Sequence, residues 1–266
     1  MTATDNRGAI PRQPPVPLRR IEIAGIPFDV VNFQETLDLI IGLAKGGRTS
    51  YVVTPNVDHV VRTYRAPELR SLYTSADLVV ADGTPLIWAS RLLGKPLPER
   101  VAGSDLFPAL CAKAADNDLS VFLLGGAPGT ADQAAAILQQ RHPRLKVAGT
   151  YCPPFGFEED ADESARILSR IKEAKPAILF VGLGSPKQER WIVANREACG
   201  AKVSIGVGIS FSFVCGHVHR APRWMQRLGF EWLHRLLQEP RRLWRRYLVD
   251  DTLFFALVVK QFFRRA

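Results

Sequence analysis

The segment Ile178–Ile192 reads ILFVGLGSPKQERWI. It begins with a run of apolar, β-favouring residues, turns through two glycines, and continues into a pattern typical of a helix. A buried strand followed by a glycine turn and a helix is the repeating unit of a parallel sheet whose strands are joined by helices. The segment therefore predicts an α/β fold.

The same unit recurs on both sides of this segment. Apolar runs predict strands at 51–53, 78–80, 121–124, 146–148, 177–181 and 203–205. Helical patterns lie between them, at 56–74, 84–93, 105–117, 130–141, 160–173 and 187–198. A hairpin is predicted at 21–31, and Asn32 with Glu35 forms a capping-box pattern at the start of the first helix. This order predicts a mostly parallel sheet with helices on both faces.

The composition fits one sizeable domain. The chain has 266 residues, of which 47% are hydrophobic, and this is enough for a single core. Residues 1–20 are proline-rich and polar and lack the apolar stretch of a signal peptide, so we predict a disordered leader and a cytoplasmic protein. No segment reaches the roughly 20 apolar residues that span a bilayer. The four cysteines are far apart and form no C-x-x-C pair, which predicts reduced thiols and disfavours zinc.

The excess positive charge is concentrated at the end of the chain. Residues 220–266 hold ten arginines, one lysine and four acids, and so carry +7 of the net +9. Such a segment predicts a polyanionic partner: an anionic membrane, a phosphate-rich substrate or nucleic acid. Arginines interspersed with Leu and Trp suit a membrane interface, whereas the apolar stretch 253–263 either lies in that interface or completes a core as a docking helix. We therefore divide the chain into the leader, an α/β domain at 21–219 and a basic helical appendage at 220–266.

Glycines and polar residues follow five of the predicted strands. They include Thr54, Asn56, Asp82, Gly125, Gly126, Gly182, Gly184 and Gln188. In open parallel sheets ligands bind beyond the carboxyl ends of the strands, so these residues predict one shared site. Each also has an ordinary alternative. Asp82 can cap a helix, Thr54 and Asn56 can form a turn, and the Gly125 turn is not a Walker loop because no G-K-[ST] follows.

Several of these segments resemble one protein family. The motifs are TPNVDHV at 54–60, ADGTP at 81–85, PKQE at 186–189 and E-W-x-x-R-x-x-x-E-P-R-R at 231–242. In this order and spacing, roughly residues 21–250 resemble the WecG/TagA/CpsF family of bacterial glycosyltransferases. The resemblance implies a Rossmann-like fold with an appendage that meets the inner face of the cytoplasmic membrane. It also implies metal-independent, inverting transfer of a sugar from a UDP-sugar to a polyprenyl-diphosphate-linked acceptor in cell-surface polysaccharide biosynthesis. The sugar would be of the N-acetylmannosamine type or a related hexose.

The resemblance assigns catalytic roles to three residues. Asp82 matches the family's general base, which removes the proton of the acceptor hydroxyl. Thr54 and Asn56 match a pair that orients the acceptor sugar and supports the base. The chain departs from the family pattern at Ser212, where an acid often stands, so no carboxylate role is expected there.

A second group of residues is expected to bind the substrates, with Arg100 and Gln188 assigned to it by the resemblance. It consists of Arg100, Gln188, Lys187, Gly125, Gly126, Gly182, Gly184, Tyr151, Arg220, Arg235 and Arg242. Glycines let a ligand approach backbone amides, arginines neutralise the diphosphate, and Tyr151 or Phe155 offers a flat partner to uracil. We expect no metal and no other cofactor, since the D-x-D triplets at 116–118 and 160–162 do not follow strands.

Other functions remain open at this stage. One alternative is a protein of the same fold that binds a nucleotide sugar without turnover. A nucleic-acid binder is disfavoured because the positive charge is confined to the end of the chain rather than spread across the fold. The sequence leaves the oligomeric state open, a homo-oligomer included.

Overall fold

A six-stranded parallel sheet organises the protein in a computed structural model, in the order β4-β3-β8-β7-β5-β6. The structure describes residues 18–222, 224–225 and 229–264, except for the side chain of Arg242. The strands are β1 (Arg20–Ile23), β2 (Ile26–Asp29), β3 (Ser50–Val53), β4 (Leu78–Val79), β5 (Ser120–Gly125), β6 (Lys146–Tyr151), β7 (Ile178–Gly182) and β8 (Val203–Gly206). The predicted α/β fold with a parallel sheet is confirmed.

Helices connect the strands and continue into the end of the chain. The first nine are α1 (Phe33–Lys45), α2 (Val57–Arg65), α3 (Arg70–Thr74), α4 (Thr84–Leu92), α5 (Gly103–Asp116), α6 (Thr130–Arg141), α7 (Ala161–Ala174), α8 (Lys187–Asn195) and α9 (Ser210–Val214). The last three are α10 (Glu231–Gln238), α11 (Pro240–Arg245) and α12 (Thr252–Phe263), with a π-helical turn at Arg246–Asp250 between α11 and α12. Short 3-10 turns lie at Pro67–Leu69 and Phe157–Glu159.

The sheet separates two hydrophobic cores, as expected when helices cover both faces. Along β5, Phe122 and Leu124 face one core, whereas Val121 and Leu123 face the other. All four are buried. This burial explains why the strand reads as a continuous apolar run rather than an alternating one.

The predicted capping box at the start of α1 is present. Asn32 Oδ1 accepts from the backbone N–H of Glu35 at 2.8 Å, and Glu35 Oε2 accepts from the backbone N–H of Asn32 at 2.7 Å. The two bonds satisfy N–H groups that a helix start otherwise leaves free.

The predicted single helix at 56–74 is wrong, because the chain breaks it at Ala66. Its backbone adopts φ −129° and ψ 82°, between the end of α2 at Arg65 and the turn that begins at Pro67. Proline disfavours the helical conformation in the residue before it, so Pro67 is the cause.

The hairpin β1–β2 lies beside the sheet and reaches into the predicted leader. Arg20 is the first residue of β1, and its Nε lies 2.7 Å from the carboxylate of Asp29. Asp29 Oδ2 also accepts from the backbone N–H of Val79, at 2.8 Å, so the hairpin is bonded to β4. Residues 1–17 of the predicted leader lie outside the described part of the chain.

The last helix, α12, packs against the body of the protein along one face. Phe254 and Val258 are buried in the core on one side of the sheet, and Leu257 on the same helix is also buried. The side chain of Gln261 accepts from the backbone N–H of Ala24 and donates to the carbonyl oxygen of Glu22, both at 2.8 Å. This face therefore completes a core, which was one of the two alternatives for the segment.

The opposite face of α12 is apolar and exposed. Its exposed side chains are Phe255, Val259, Phe262 and Phe263. Among the helices of the described residues, none has both the length and the apolar character needed to cross a membrane.

Candidate active site

A cavity of about 990 Å³ lies beyond the carboxyl ends of β3, β4, β7 and β8. Two regions enclose it. We call the strand-end residues Thr54, Asn56, Asp82 and Gln188 the floor, and the lining residues between Gly229 and Phe255 the wall. The predicted site residues that line the cavity are Thr54, Asn56, Asp82, Arg100, Gly184, Gln188 and Arg235.

Asp82 lies in the floor, shortly after β4. Its Oδ2 accepts from the backbone N–H of Gly103 at 3.3 Å. The N-cap of α4 is Gly83 and has no side-chain cap bond, so the helix-cap alternative for Asp82 is wrong. Burial raises the pKa of Asp82 from 3.8 to about 6, against the nearby guanidinium of Arg100. The resulting carboxylate is ionised at neutral pH and is a stronger base than an exposed aspartate.

Thr54 and Asn56 lie beside Asp82, between β3 and α2. A methyl group on Gly103 would approach Thr54 Oγ1 to 3.1 Å, so the start of α5 fits tightly against β3. Asn56 is the N-cap residue of α2, and its backbone N–H donates to Nδ1 of His59 at 3.1 Å. The floor is thus built from chain segments that are packed closely together.

Two predicted phosphate-binding arginines are paired with acids. Arg100 lies 2.5 Å from Glu231 and 3.4 Å from Asp105. Arg220 lies 2.5 Å from Asp105 and 3.8 Å from Glu231. Glu231 and Asp105 also reinforce the rise in the pKa of Asp82. The cluster therefore places two carboxylates and two guanidinium groups beside the expected base.

Glu231 is a site residue that the sequence reasoning missed. It opens α10, one helical turn before Arg235, which also lines the cavity. An acid within a segment otherwise rich in arginine was the available signal. Its partner Arg100 is distant in sequence and could not be identified without the tertiary structure. The side chain of Arg242, predicted to act beside these groups, lies outside the described residues.

Lys187 and Tyr151 lie outside the cavity lining. Lys187 Nζ is 2.6 Å from Glu158 and 5.3 Å from the ring centre of Phe155. Tyr151 donates to Glu163 at 2.5 Å, and its ring packs against the guanidinium of Arg170. These side chains already have partners, and their predicted contacts with a donor stay predictions.

Three predicted glycines have a packing reason that requires no ligand. A methyl group on Gly125, whose φ is +102°, would lie 2.6 Å from the carbonyl oxygen of Gly182. That carbonyl accepts from the backbone N–H of Gly126 at 2.9 Å. A methyl group on Gly182 would in turn lie 2.9 Å from the ring of Phe211. These glycines let β5 and β7 end side by side, and only Gly184 of the predicted four lines the cavity.

The D-x-D triplets serve other purposes. Asp160 caps α7 by accepting from the N–H groups of Asp162 and Glu163, both at 3.0 Å. Asp116 and Asp118 form ion pairs at the start of β5, away from the strand ends. Within the described ranges, no cluster of three His, Cys, Asp or Glu side chains is arranged to hold a metal ion.

Comparison with known proteins shows that the resemblance covers most of the chain and not the motifs alone. The sequence model of the Glycosyl transferase WecG/TagA/CpsF family matches residues 21–266. The chain belongs to this family. It is a glycosyltransferase of the WecG/TagA/CpsF family, and the cavity at its strand ends is the candidate active site.

Several curated proteins are similar to this chain at moderate sequence identity. An N-acetylglucosaminyldiphosphoundecaprenol N-acetyl-beta-D-mannosaminyltransferase of Bacillus spizizenii is 35% identical over 199 residues, 75% of each chain. Proteins of the same name from Staphylococcus aureus strains MW2 and MRSA252 are 32% identical over 228 residues, 85% of this chain and 87% of theirs.

Proposed function

We propose that this glycosyltransferase moves an N-acetylmannosamine-type sugar, with inversion and without a metal ion, from a UDP-sugar to a polyprenyl-diphosphate-linked N-acetylglucosamine. The observation that carries the proposal is the position of Asp82 in the cavity. It is the expected base, its pKa is raised to about 6 by burial, and it lies beside an arginine cluster. The names of the curated relatives support the sugar and the acceptor.

Asp82 is the carboxylate best suited to act as the base. The other acids of the cavity lining lie within 4 Å of an arginine: Asp58 near Arg62, Glu231 near Arg100, Asp250 near Arg65 and Asp251 near Arg246. Asp82 has no ion pair of that kind among the described residues. Its lone pair is therefore the one most available to a hydroxyl proton.

The proposed reaction is a single displacement. The acceptor hydroxyl oxygen attacks the anomeric carbon of the donor as Asp82 takes its proton. The bond from that carbon to the diphosphate breaks on the opposite side, and UDP leaves with the electron pair. One displacement inverts the anomeric configuration. Negative charge develops on the diphosphate, where Arg235 and the Arg100–Arg220 pair can stabilise it.

Access of the donor to Arg100 involves an exchange of partners. In the structure its guanidinium group already bonds the carboxylates of Glu231 and Asp105. A diphosphate has oxygen acceptors of the same kind and a higher charge, so it can replace a carboxylate at such a guanidinium. Arginine would then perform the charge neutralisation that a divalent cation performs in other sugar transfers.

Membrane contact fits the same proposal. A polyprenyl acceptor remains in the bilayer, so the active site has to approach the headgroups. The exposed fractions of Phe255 and Phe263 are 52% and 72%. Arg241 and Arg245, on the nearby α11, are also exposed. Aromatic rings beside arginines favour an anionic surface. We therefore propose peripheral attachment to the inner face of the cytoplasmic membrane.

A donor screen tests the function. UDP-N-acetylmannosamine, UDP-N-acetylglucosamine and UDP-glucose would each be incubated with synthetic polyprenyl-diphosphate N-acetylglucosamine and EDTA, and products detected by mass spectrometry. The expected result is a disaccharide product from UDP-N-acetylmannosamine whose new linkage, by NMR, has the configuration opposite to the donor. Asp82→Asn is the matched control. The absence of product from every donor, or turnover only when Mg²⁺ is restored, would contradict the proposal.

A further inference from the structure

Glu189 is a fully buried acid directly behind the floor of the cavity. It is 0% exposed and follows Gln188 in the first turn of α8. Glu189 does not line the cavity, but it lies against two residues that do. Its Oε1 accepts from Nε2 of Gln188 at 2.8 Å and is 3.9 Å from Nε2 of His59.

Gln188 is held in one orientation by this contact. Its Oε1 accepts from the backbone N–H of Gly208 at 3.0 Å, and its Nε2 donates to Glu189. A backbone N–H can only donate, so the two ends of the amide cannot exchange places without losing the bond to Gly208. A methyl group on Gly206 would lie 2.6 Å from Nε2, so the strand backbone fits closely around the amide.

His59 lies between Glu189 and Asn56, which is a second floor residue. Nδ1 of His59 accepts from the backbone N–H of Asn56 at 3.1 Å and lies 2.8 Å from its side-chain oxygen. The ring packs edge-on against Tyr73, with centroids 5.9 Å apart. Glu189 thus lies between Gln188 on α8 and the His59–Asn56 pair on α2.

We propose that Glu189 is a positioning residue, which fixes the Gln188 amide and the His59–Asn56 pair against the substrate. The inference rests on the proposed function. It adds a residue to which neither motif spacing nor the cavity lining assigns a part.

The surroundings of Glu189 favour its neutral form. Burial raises the pKa of Glu189 above its ordinary value, and Oε2 has no hydrogen-bond partner among the described residues. Burying a carboxylate without a paired charge costs more free energy than burying the protonated acid. The charged and titratable groups around it are Arg62, His59, Tyr51 and Tyr73. Burial lowers the pKa of His59 to about 4, so the ring is uncharged at neutral pH.

Two substitutions of similar volume separate positioning from packing. Glu189→Gln keeps an acceptor for Gln188 and is uncharged, whereas Glu189→Met keeps the volume and removes the acceptor. In transfer assays we expect Glu189→Gln to stay within about threefold of the wild type in kcat/KM. Glu189→Met should lose on the order of 10- to 100-fold, mostly through a higher KM, since small misplacements of binding groups are costly.

Stability supplies the control. Glu189→Met leaves Nε2 of the buried Gln188 without its acceptor, so its Tm should fall below that of the wild type, and the transfer assays are run well below the Tm of the variant. Unchanged KM in Glu189→Met would overturn the proposal. Equal loss in both variants would also overturn it, because an acceptor for Gln188 would then not be sufficient.

A second measurement keeps this test independent of the proposed function. Amide hydrogen exchange at Gly208 reports whether Gln188 still accepts its N–H. Exchange should be faster in Glu189→Met and unchanged in Glu189→Gln. If the wild type transfers no sugar but this pattern holds, the proposed function fails and the positioning contact stands. Equal exchange in all three proteins would overturn the contact itself.

Discussion

The floor and the wall of the cavity are built by different means. The floor is held by backbone groups: the N–H of Gly103 bonds Asp82, and the N–H of Gly208 bonds Gln188. The wall is held largely by side-chain ion pairs, such as Arg65 with Asp250 at 2.6 Å. Exposed pairs of this kind contribute about 0–1 kcal/mol each and exchange partners readily. The difference suggests that the floor sets geometry and the wall admits and retains ligands.

The wall also approaches the loop beside the floor at a point that carries no charge. Gly229, at the start of the wall, has φ +79°, and a methyl group there would lie 3.0 Å from the side chain of Thr84. Thr84 begins α4, two residues after Asp82. The wall therefore meets the loop that carries the expected base.

Removal of the base should have the largest effect. Asp82→Asn is expected to lower the transfer rate by about 10²- to 10⁴-fold, the usual contribution of a general base. Binding of UDP, measured by calorimetry, should persist because the arginines remain. Turnover close to that of the wild type would exclude Asp82 as the base.

The same substitution should also stabilise the fold at high pH. The pKa of Asp82 is raised from 3.8 to about 6, so the folded protein loses stability as the pH rises between these values. Asn avoids this cost, which is on the order of 1–3 kcal/mol at pH 8. Urea unfolding should show the gain at pH 8 and little gain below pH 4, where the aspartate is protonated in both states.

Displacement of the wall should have the next largest effect. Gly229→Ala is expected to lower kcat/KM by roughly tenfold, since the added methyl group collides with Thr84 and shifts the wall. Gly216→Ala is the matched control, because Gly216 has φ +74° but open space around it. Backbone strain is similar in the two variants, so equal losses would contradict a role for the Thr84 contact.

A smaller effect is expected in the pH dependence. The rate of the wild type should rise through a midpoint near pH 6 as Asp82 loses its proton. Glu231→Gln removes a carboxylate that raises this pKa, so the midpoint should move to lower pH and the rate at pH 5 should rise a few-fold. Asp250→Asn, which removes an appendage acid that does not perturb Asp82, should leave the midpoint in place. A midpoint that moves upward in Glu231→Gln would contradict this account of the cluster.

The smallest effect is expected at the outer ion pair. Arg65→Gln and Asp250→Asn should each lower the free energy of unfolding by less than about 1 kcal/mol. A double-mutant cycle at 0.1 and 0.5 M NaCl measures the coupling, which should decrease with salt. A coupling of several kcal/mol would show that the wall is held as firmly as the floor.

Much of the floor was predictable because strand ends of a parallel sheet converge. Thr54 and Asn56 follow β3, Asp82 follows β4 and Gln188 follows β7, and the sheet order brings these strand ends to one cavity. The break in 56–74 was also present in the sequence, since Pro67 marks it. The role of Gly125 could not be predicted. Glycine is required both where two strand backbones approach closely and where a ligand contacts the backbone, so the residue type does not distinguish the two.

The wall was less predictable, since its contacts depend on how the appendage docks. The basic charge of residues 220–266 was evident, but the pairing of Arg100 with Glu231 joins residues 131 positions apart. Local patterns contain no information about such pairs. Composition likewise could not decide whether α12 packs against the core or is exposed to solvent. In the structure one face of the helix is buried and the other is exposed.

The wall is fastened to the body at both of its ends. Gly229 meets Thr84 at the beginning, and Gln261 bonds the β1–β2 turn beyond the end. A flap that swings about one hinge is incompatible with two such attachments. We therefore expect a substrate to enter through flexing between them, at the π-helical turn Arg246–Asp250. There the i→i−4 hydrogen bonding of the helix is replaced by a longer one, from the N–H of Asp251 to the carbonyl oxygen of Arg246 at 2.8 Å.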